Sequence, residues 1–125
     1  MYRKIIPLVL ALCTSAHAHE MTPTYPQFEP SFMSGLQKVS MKMFNKRKDV
    51  EWYEIGVFDE NRYPIDFVSS YKLVNIPYLG HIDFDVYVRQ EDVHRVTYIC
   101  SRSKLRSTES KYTLVSSIIC SKVKR

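Results

Sequence analysis

Cys100 and Cys120 are the residues whose type and spacing bear most directly on chemistry. A third cysteine, Cys13, lies in the N-terminal segment discussed below. A pair of cysteines allows one connectivity and, in an oxidising compartment, invites a disulfide. Two separate buried thiols are the alternative. The spacing, with no histidine beside either cysteine, matches neither a zinc site nor a Cys-x-x-Cys redox motif. Histidine is sparse: His17, His19, His81 and His94. A hydrolase-like set drawn from Ser69, His81 and Asp83 places His81 and Asp83 two apart on one exposed strand face. Any chain this rich in polar residues offers such a set, so catalytic residues and an enzyme activity are not expected. Asp83, Asp85 and Asp92 lack the Asp/Asn/Gly density of a calcium loop and read as a solvated face, with no metal or other cofactor expected. Gly35, Gly56 and Gly80 are isolated, which excludes a glycine-rich phosphate loop.

These residues are positioned by a chain that opens as an export substrate. Residues 1–18 (MYRKIIPLVLALCTSAHA) combine basic Arg3 and Lys4, an apolar stretch too short to span a bilayer, and Ala16-His17-Ala18, a small-x-small cleavage pattern. They read as a cleaved secretory signal peptide, which puts the start of the mature chain at His19 and its location in the periplasm or outside the cell. Bulky Leu12 directly before Cys13 argues against a lipoprotein signal. With Cys13 removed, the mature chain keeps only Cys100 and Cys120.

Residues 19–125 are enough for one domain with one core. The full sequence carries a net charge of +5, unevenly spread: acids crowd residues 49–92, whereas from Arg95 to Arg125 the only acid is Glu109. A basic end suits nucleic acid, an anionic membrane or an acidic partner. Export makes nucleic acid the least natural of these, and no run in residues 19–125 is apolar enough for stable membrane insertion. A protein partner is the expectation.

The elements read as strand after strand. In residues 81–89, Ile82, Phe84, Val86 and Val88 alternate with His81, Asp83, Asp85, Tyr87 and Arg89, the pattern of a half-buried strand. Tyr87 on the polar side is a candidate contact. Residues 38–45 place Val39, Met41 and Met43 on one face. Residues 34–44 are the best helical candidate, yet their alternation fits a strand better. Residues 50–59 are apolar on both parities, as in a central strand covered on both sides near one end. A turn follows at Asp59-Glu60-Asn61-Arg62, and Pro64 keeps the chain extended. A short edge strand is expected around residues 71–74, and the last two strands at residues 93–101 and 112–123, joined by a loop at 102–111. Six or seven short strands in about 100 residues predict an all-β antiparallel sandwich. Cys100 and Cys120 then face each other across the last hairpin, and a bridge would close a loop of about 20 residues and stabilise by about 3 kcal/mol in the chain-entropy model.

Tyr98-Ile99-Cys100 resembles the Tyr-x-Cys of an immunoglobulin-like sandwich, with Trp52 on the third strand as its core aromatic. No cysteine lies on the second strand, so this likeness is one of architecture. The succession of a Pro-rich first strand, a strand ending in Asn45 before a polar turn, a long strand ending in an acidic turn with Pro64, the period-two strand 81–89 and the basic-Tyr strand from Arg95 more closely resembles the N-terminal immunoglobulin-like domain of PapD-like periplasmic pilus chaperones. The chain, ending at Arg125, would be a single-domain variant. That resemblance implies a chaperone-like module that holds or escorts an envelope or pilus-type subunit through a sheet edge, a form of β-augmentation. It places the partner-binding residues at Lys111, which sits where the family has a Lys opening its last strand, and at Tyr112, Leu114 and Ile118. The opposite parity, Thr113, Val115, Ser117 and Ile119, remains open as the outward row. No Lys or Arg lies between His19 and Gln37 to match the family's Arg on the first strand. The alternative reading is a structural component of a cell-surface or virion assembly with the same fold and no chaperone role.

Overall fold

The computed structural model describes residues 19–104 and 116–125. Residues 1–18, including the expected signal peptide, lie outside them. So do Lys111, Tyr112 and Leu114. The strands run in the order β1 (Glu20–Thr22), β2 (Glu29–Pro30), β3 (Leu36–Phe44), β4 (Trp52–Phe58), β5 (Val68–Ser69), β6 (Leu73–Asn75), β7 (His81–Arg89), β8 (Tyr98–Lys104) and β9 (Ile118–Lys122), with one 3-10 turn at Val93–Arg95.

Among the described residues all strand pairing is antiparallel and divides into two sheets. One has the order β1-β3-β7-β5, with β2 added to β3, and the other β6-β4-β8-β9. The expected all-β immunoglobulin-like sandwich is what the chain forms. Its backbone is the long ladder of β3 on β7, from Leu36 opposite Arg89 to Phe44 opposite His81. Period two then sets the layers: Val39, Met41 and Met43 of β3 and Phe84, Val86 and Val88 of β7 face Tyr53, Ile55 and Val57 of β4 and Ile99 of β8 across an apolar core.

Three local expectations are corrected. Tyr53, not Trp52, is the core aromatic: Tyr53 is fully buried and Trp52 half-buried on the outer side. Parity decides this, because Tyr53 shares its row with Ile55 and Val57, while the row of Trp52 contains Glu54 and Gly56. The apolar outer row of β4 is covered in part by itself. A Cβ on Gly56 would lie 2.7 Å from the Phe58 ring, so the absent side chain is what lets that ring fold back along the strand. Residues 93–101 are not one strand. Asp92 accepts hydrogen bonds from Arg89 Nε at 3.1 Å and Arg95 Nη2 at 2.7 Å, and Val96 N–H closes onto Val93 O, which curls residues 93–95 before β8 begins. Strand β8 also continues through Lys104, into the start of the expected loop at 102–111. The acidic turn forms as expected, with Asp59 Oδ1 accepting the N–H groups of Asn61 and Tyr63.

Candidate functional site

Strand β9 lies at the margin of its sheet and pairs on one side with β8, in the register Arg102 opposite Ile118 to Tyr98 opposite Lys122. Cys100 and Cys120 are direct cross-strand partners, with Cα atoms 4.1 Å apart, and are joined by a disulfide. The bridge therefore stays within one sheet, unlike the bridge between sheets of an antibody-type domain. It ties β9 to the body of the domain at its midpoint.

The parity of the last strand is now settled for its described part. Ile119, Ser121 and Val123 turn toward the core, and Ile118, Cys120 and Lys122 turn outward. Ile118 is 51% exposed. The same alternation decides the edge. Odd residues of β9 direct their peptide groups to β8, as Ser117 O does in accepting Ser103 N–H, and even residues direct theirs away from it. On that far side, Lys122 N–H donates to Thr24 O and Lys124 N–H to Pro26 O. Among the described residues no backbone group meets the N–H and C=O of Ile118 and Cys120. The chain from Thr24 to Pro26 thus closes the far half of the edge, and beside the disulfide, where β1 lies near β9 but bonds to β3, the edge has no backbone partner among the described residues.

A buried polar cluster braces the sandwich where that open edge begins. His19, 1% exposed, lies with Nε2 2.7 Å from Ser101 Oγ and Nδ1 3.0 Å from Ser117 Oγ, its ring tilted on Tyr53 at 4.6 Å between centroids. The Tyr53 hydroxyl donates to Asn45 Oδ1 at 2.6 Å, and that oxygen also accepts Arg47 N–H. Asn45 Nδ2 donates to Val50 O and Ile76 O, while its backbone bonds Gly80 O and Leu79 N–H. Every polar group of Asn45 is therefore matched, which is what allows an amide to be fully buried at the end of β3. Arg47 Nε and Nη2 hold Asp49 in a two-pronged pair at 2.9 and 2.6 Å, and Arg47 Nη1 reaches Ser117 Oγ at 3.4 Å.

Burial lowers the His19 pKa to about 4, with the Arg47 charge acting in the same direction, so the ring is neutral at pH 7. Burial pushes the Tyr53 hydroxyl up to about 12. The hydrogen bond from Arg47 holds the Asp49 carboxyl below its ordinary value. Ser101 beside His19 has the composition of a nucleophile and base, yet the hydroxyl is fully buried in the core and its contact serves to fasten β1 to β8. Sequence alone did not single out His19, Asn45 or Arg47 as a unit. The readable signal was a strand ending in Asn followed by Arg and Asp at two-residue steps, a pattern suited to fixing a turn.

Other residues named from sequence are not brought together. Ser69 lies opposite Val86, five positions along β7 from His81, roughly 16 Å at strand rise. Asp83 pairs with Lys42, Asp85 accepts from Ser40 Oγ, and Asp92 is held by Arg89 and Arg95. Among the described residues no group of His, Cys, Asp or Glu is arranged to hold a metal ion. Tyr87 is half-buried, with Phe32 edge-on at 6.5 Å.

No family model matches this sequence, and no curated protein is significantly similar to it. Solved structures do match. The Escherichia coli chaperone DraB superposes with a TM-score of 0.62 at 14% identity, over 85% of this chain and 53% of that one. The Salmonella enterica SafB chaperone, solved in complex with SafA pilin, superposes with a TM-score of 0.63 at 13% identity, over 88% of this chain and 54% of its own. The chain spans about half the length of these chaperones, and its fold is that of a pilus-chaperone domain.

Proposed function

We propose that the chain is an exported protein-binding module that holds or escorts an envelope or pilus-type subunit by strand addition at β9. One observation carries the reading: in a fold shared with pilus chaperones, the outward N–H and C=O of Ile118 and Cys120 on the last strand meet no backbone partner among the described residues, with Ile118 as an exposed apolar side chain beside them. Strand addition takes its affinity from such main-chain groups and its selectivity from the alternate side chains flanking them. The disulfide suits export, since such bridges persist in oxidising compartments, and it holds the edge straight against β8 while a partner strand adds. Tyr112 and Leu114 share the even parity of Ile118 in the sequence, and with Lys111 they belong to the proposed contact.

Native mass spectrometry on the chain purified from the periplasm of its own host under mild conditions tests this. A one-to-one complex with a different protein is expected. A chain that captures no partner, or one that assembles only with itself, would favour the structural-component reading instead.

A further inference from the structure

The two outer faces of the sandwich differ in how their charges are balanced. On the β3–β7 side most cations have an acid: Lys42 pairs with Asp83 at 3.8 Å, Lys46 with Glu20 at 2.6 Å and Arg89 with Asp92 at 3.1 Å, while Lys38 lies opposite Glu29 in register. The outer face of the β4–β8–β9 sheet carries Arg62, Lys72, Arg102, Lys104 and Lys122. Its acid Glu54 is taken up by Lys104 at 2.7 Å. Among the described residues no carboxylate lies within ion-pair reach of Arg62, Lys72, Arg102 or Lys122. Two of these cations are seated on rings, with Arg62 5.0 Å above Tyr98 and Lys72 5.3 Å above Phe67.

Between the cations the floor is apolar. A groove of about 620 Å³ is lined by Trp52, Phe58, Pro64, Phe67 and Leu73, and a smaller one of about 290 Å³ continues across Gly56 and Phe58 to the disulfide and Ile118. The two share Glu54, Gly56 and Phe58, so they form one surface. Leu73 and Ile118 stand out from its opposite margins at 54% and 51% exposure.

We propose that this face docks peripherally on an anionic phospholipid surface, distinct from the strand-edge contact proposed above, which it meets at Ile118. Charge complementarity names the ligand chemistry, and the layout of the charges names the source. The cations extend from the β6 margin to β9, a width of four strands or roughly 14 Å. One extended acidic peptide along a groove would meet only those on its path, whereas a planar layer of lipid phosphates meets them all. Aromatic and aliphatic side chains then enter the headgroup boundary while Lys and Arg stems carry their charges to the phosphates.

The test uses the exported, leader-free chain and vesicles of equal parts phosphatidylglycerol and phosphatidylcholine, beside vesicles of phosphatidylcholine alone. Trp52 is the sole tryptophan of the chain and lies in the larger groove, so its emission reports contact at this face. The account expects co-sedimentation with the anionic vesicles only, a blue shift of Trp52 emission, and loss of both in high salt. The variant Lys72→Gln/Arg102→Gln/Lys122→Gln removes three exposed cations, and its partitioning should fall about 100-fold. Lys38→Gln/Lys42→Gln/Lys46→Gln removes equal charge elsewhere and should change partitioning only a few-fold. No binding to the anionic vesicles, equal losses in the two variants, or binding without a change in Trp52 emission would each overturn the proposal. So would an acidic peptide such as oligoglutamate producing the Trp52 shift where vesicles do not, which would mark the face as a site for acidic protein.

Discussion

Replacing His19 by Gln should flatten the acid side of this domain's stability curve. The ring is buried between Ser101, Ser117, Tyr53 and Arg47, and its pKa falls from 6.5 to about 4. The unfolded chain therefore binds a proton on His19 at a pH where the folded chain does not. Stability tied to this group is complete above pH 6.5 and is lost as pH falls toward 4, because in that window the unfolded state takes up more protons. The limiting loss is about 3 kcal/mol, from 1.36 kcal/mol per pH unit, and water at the rim of the cluster makes that an upper bound. Between pH 7.5 and pH 5 the loss should reach about 2 kcal/mol. For a domain of this size it would move a urea midpoint by roughly 1–2 M. Asp49, whose pKa is lowered by Arg47, contributes stability that is lost only as pH falls through its own depressed range, below this window, and does so equally in wild type and variant. Urea unfolding at half-unit steps from pH 7.5 to 4.5 measures the effect. His19→Gln keeps a polar amide at the site and cannot titrate, so the wild-type curve should fall away from that of the variant below pH 6.5. Parallel curves through pH 5 would refute the claim that His19 is held neutral in the fold.

Four further outcomes follow from the geometry. Denaturing, non-reducing thiol labelling of the exported chain should find no free thiol, and Cys100→Ser/Cys120→Ser should lower stability by about 3 kcal/mol in urea titrations. Ile118→Asp should abolish partner capture in a pull-down while leaving the unfolding midpoint within about 0.5 kcal/mol of wild type, as for an exposed site. Ile119→Asp, one residue on, packs against the core and should destabilise by more than about 2 kcal/mol in the same titration. Tyr53→Phe should cost about 1 kcal/mol by thermal or urea unfolding, since Asn45 Oδ1 keeps its bond from Arg47 N–H and loses one donor.

The sandwich was legible where alternation was strict. Residues 81–89 and 38–45 carry their apolar residues on one parity, and both formed strands with that parity inward. Residues 50–59 were ambiguous because Trp52 and Phe58 make the outer row of β4 as apolar as the inner one. Only Gly56 and Glu54 in the outer row betray which side faces water, and the Phe58 ring folded along Gly56 is a contact no periodicity encodes. The 3-10 turn at Val93–Arg95 was missed for a related reason. Its cause is Asp92 bonding Arg89 and Arg95 together, a side-chain effect that overrides a β-rich local composition.

For the site, Cys100 and Cys120 were readable because two cysteines on one predicted hairpin have a single partner choice. The open edge at Ile118 was half readable. The row Ser117, Ile119 and the row Ser116, Ile118 are equally apolar, so which one faces out depends on register with β8, set by Ser101 opposite Ile119. The His19 cluster was illegible, since its members come from four separated segments, and the link between His19 and Ser117 spans nearly the whole described chain.

The most direct test of the account is residue-resolved amide hydrogen exchange on the free chain and on the chain bound to the partner that it captures. The account predicts that the amides of Ile118 and Cys120 exchange quickly when the chain is free and become protected in the complex, while Ile119 and Ser121, already bonded to β8, change little. Complex formation that leaves Ile118 and Cys120 exchanging as in the free chain, with protection arising on another strand, would contradict strand addition at β9.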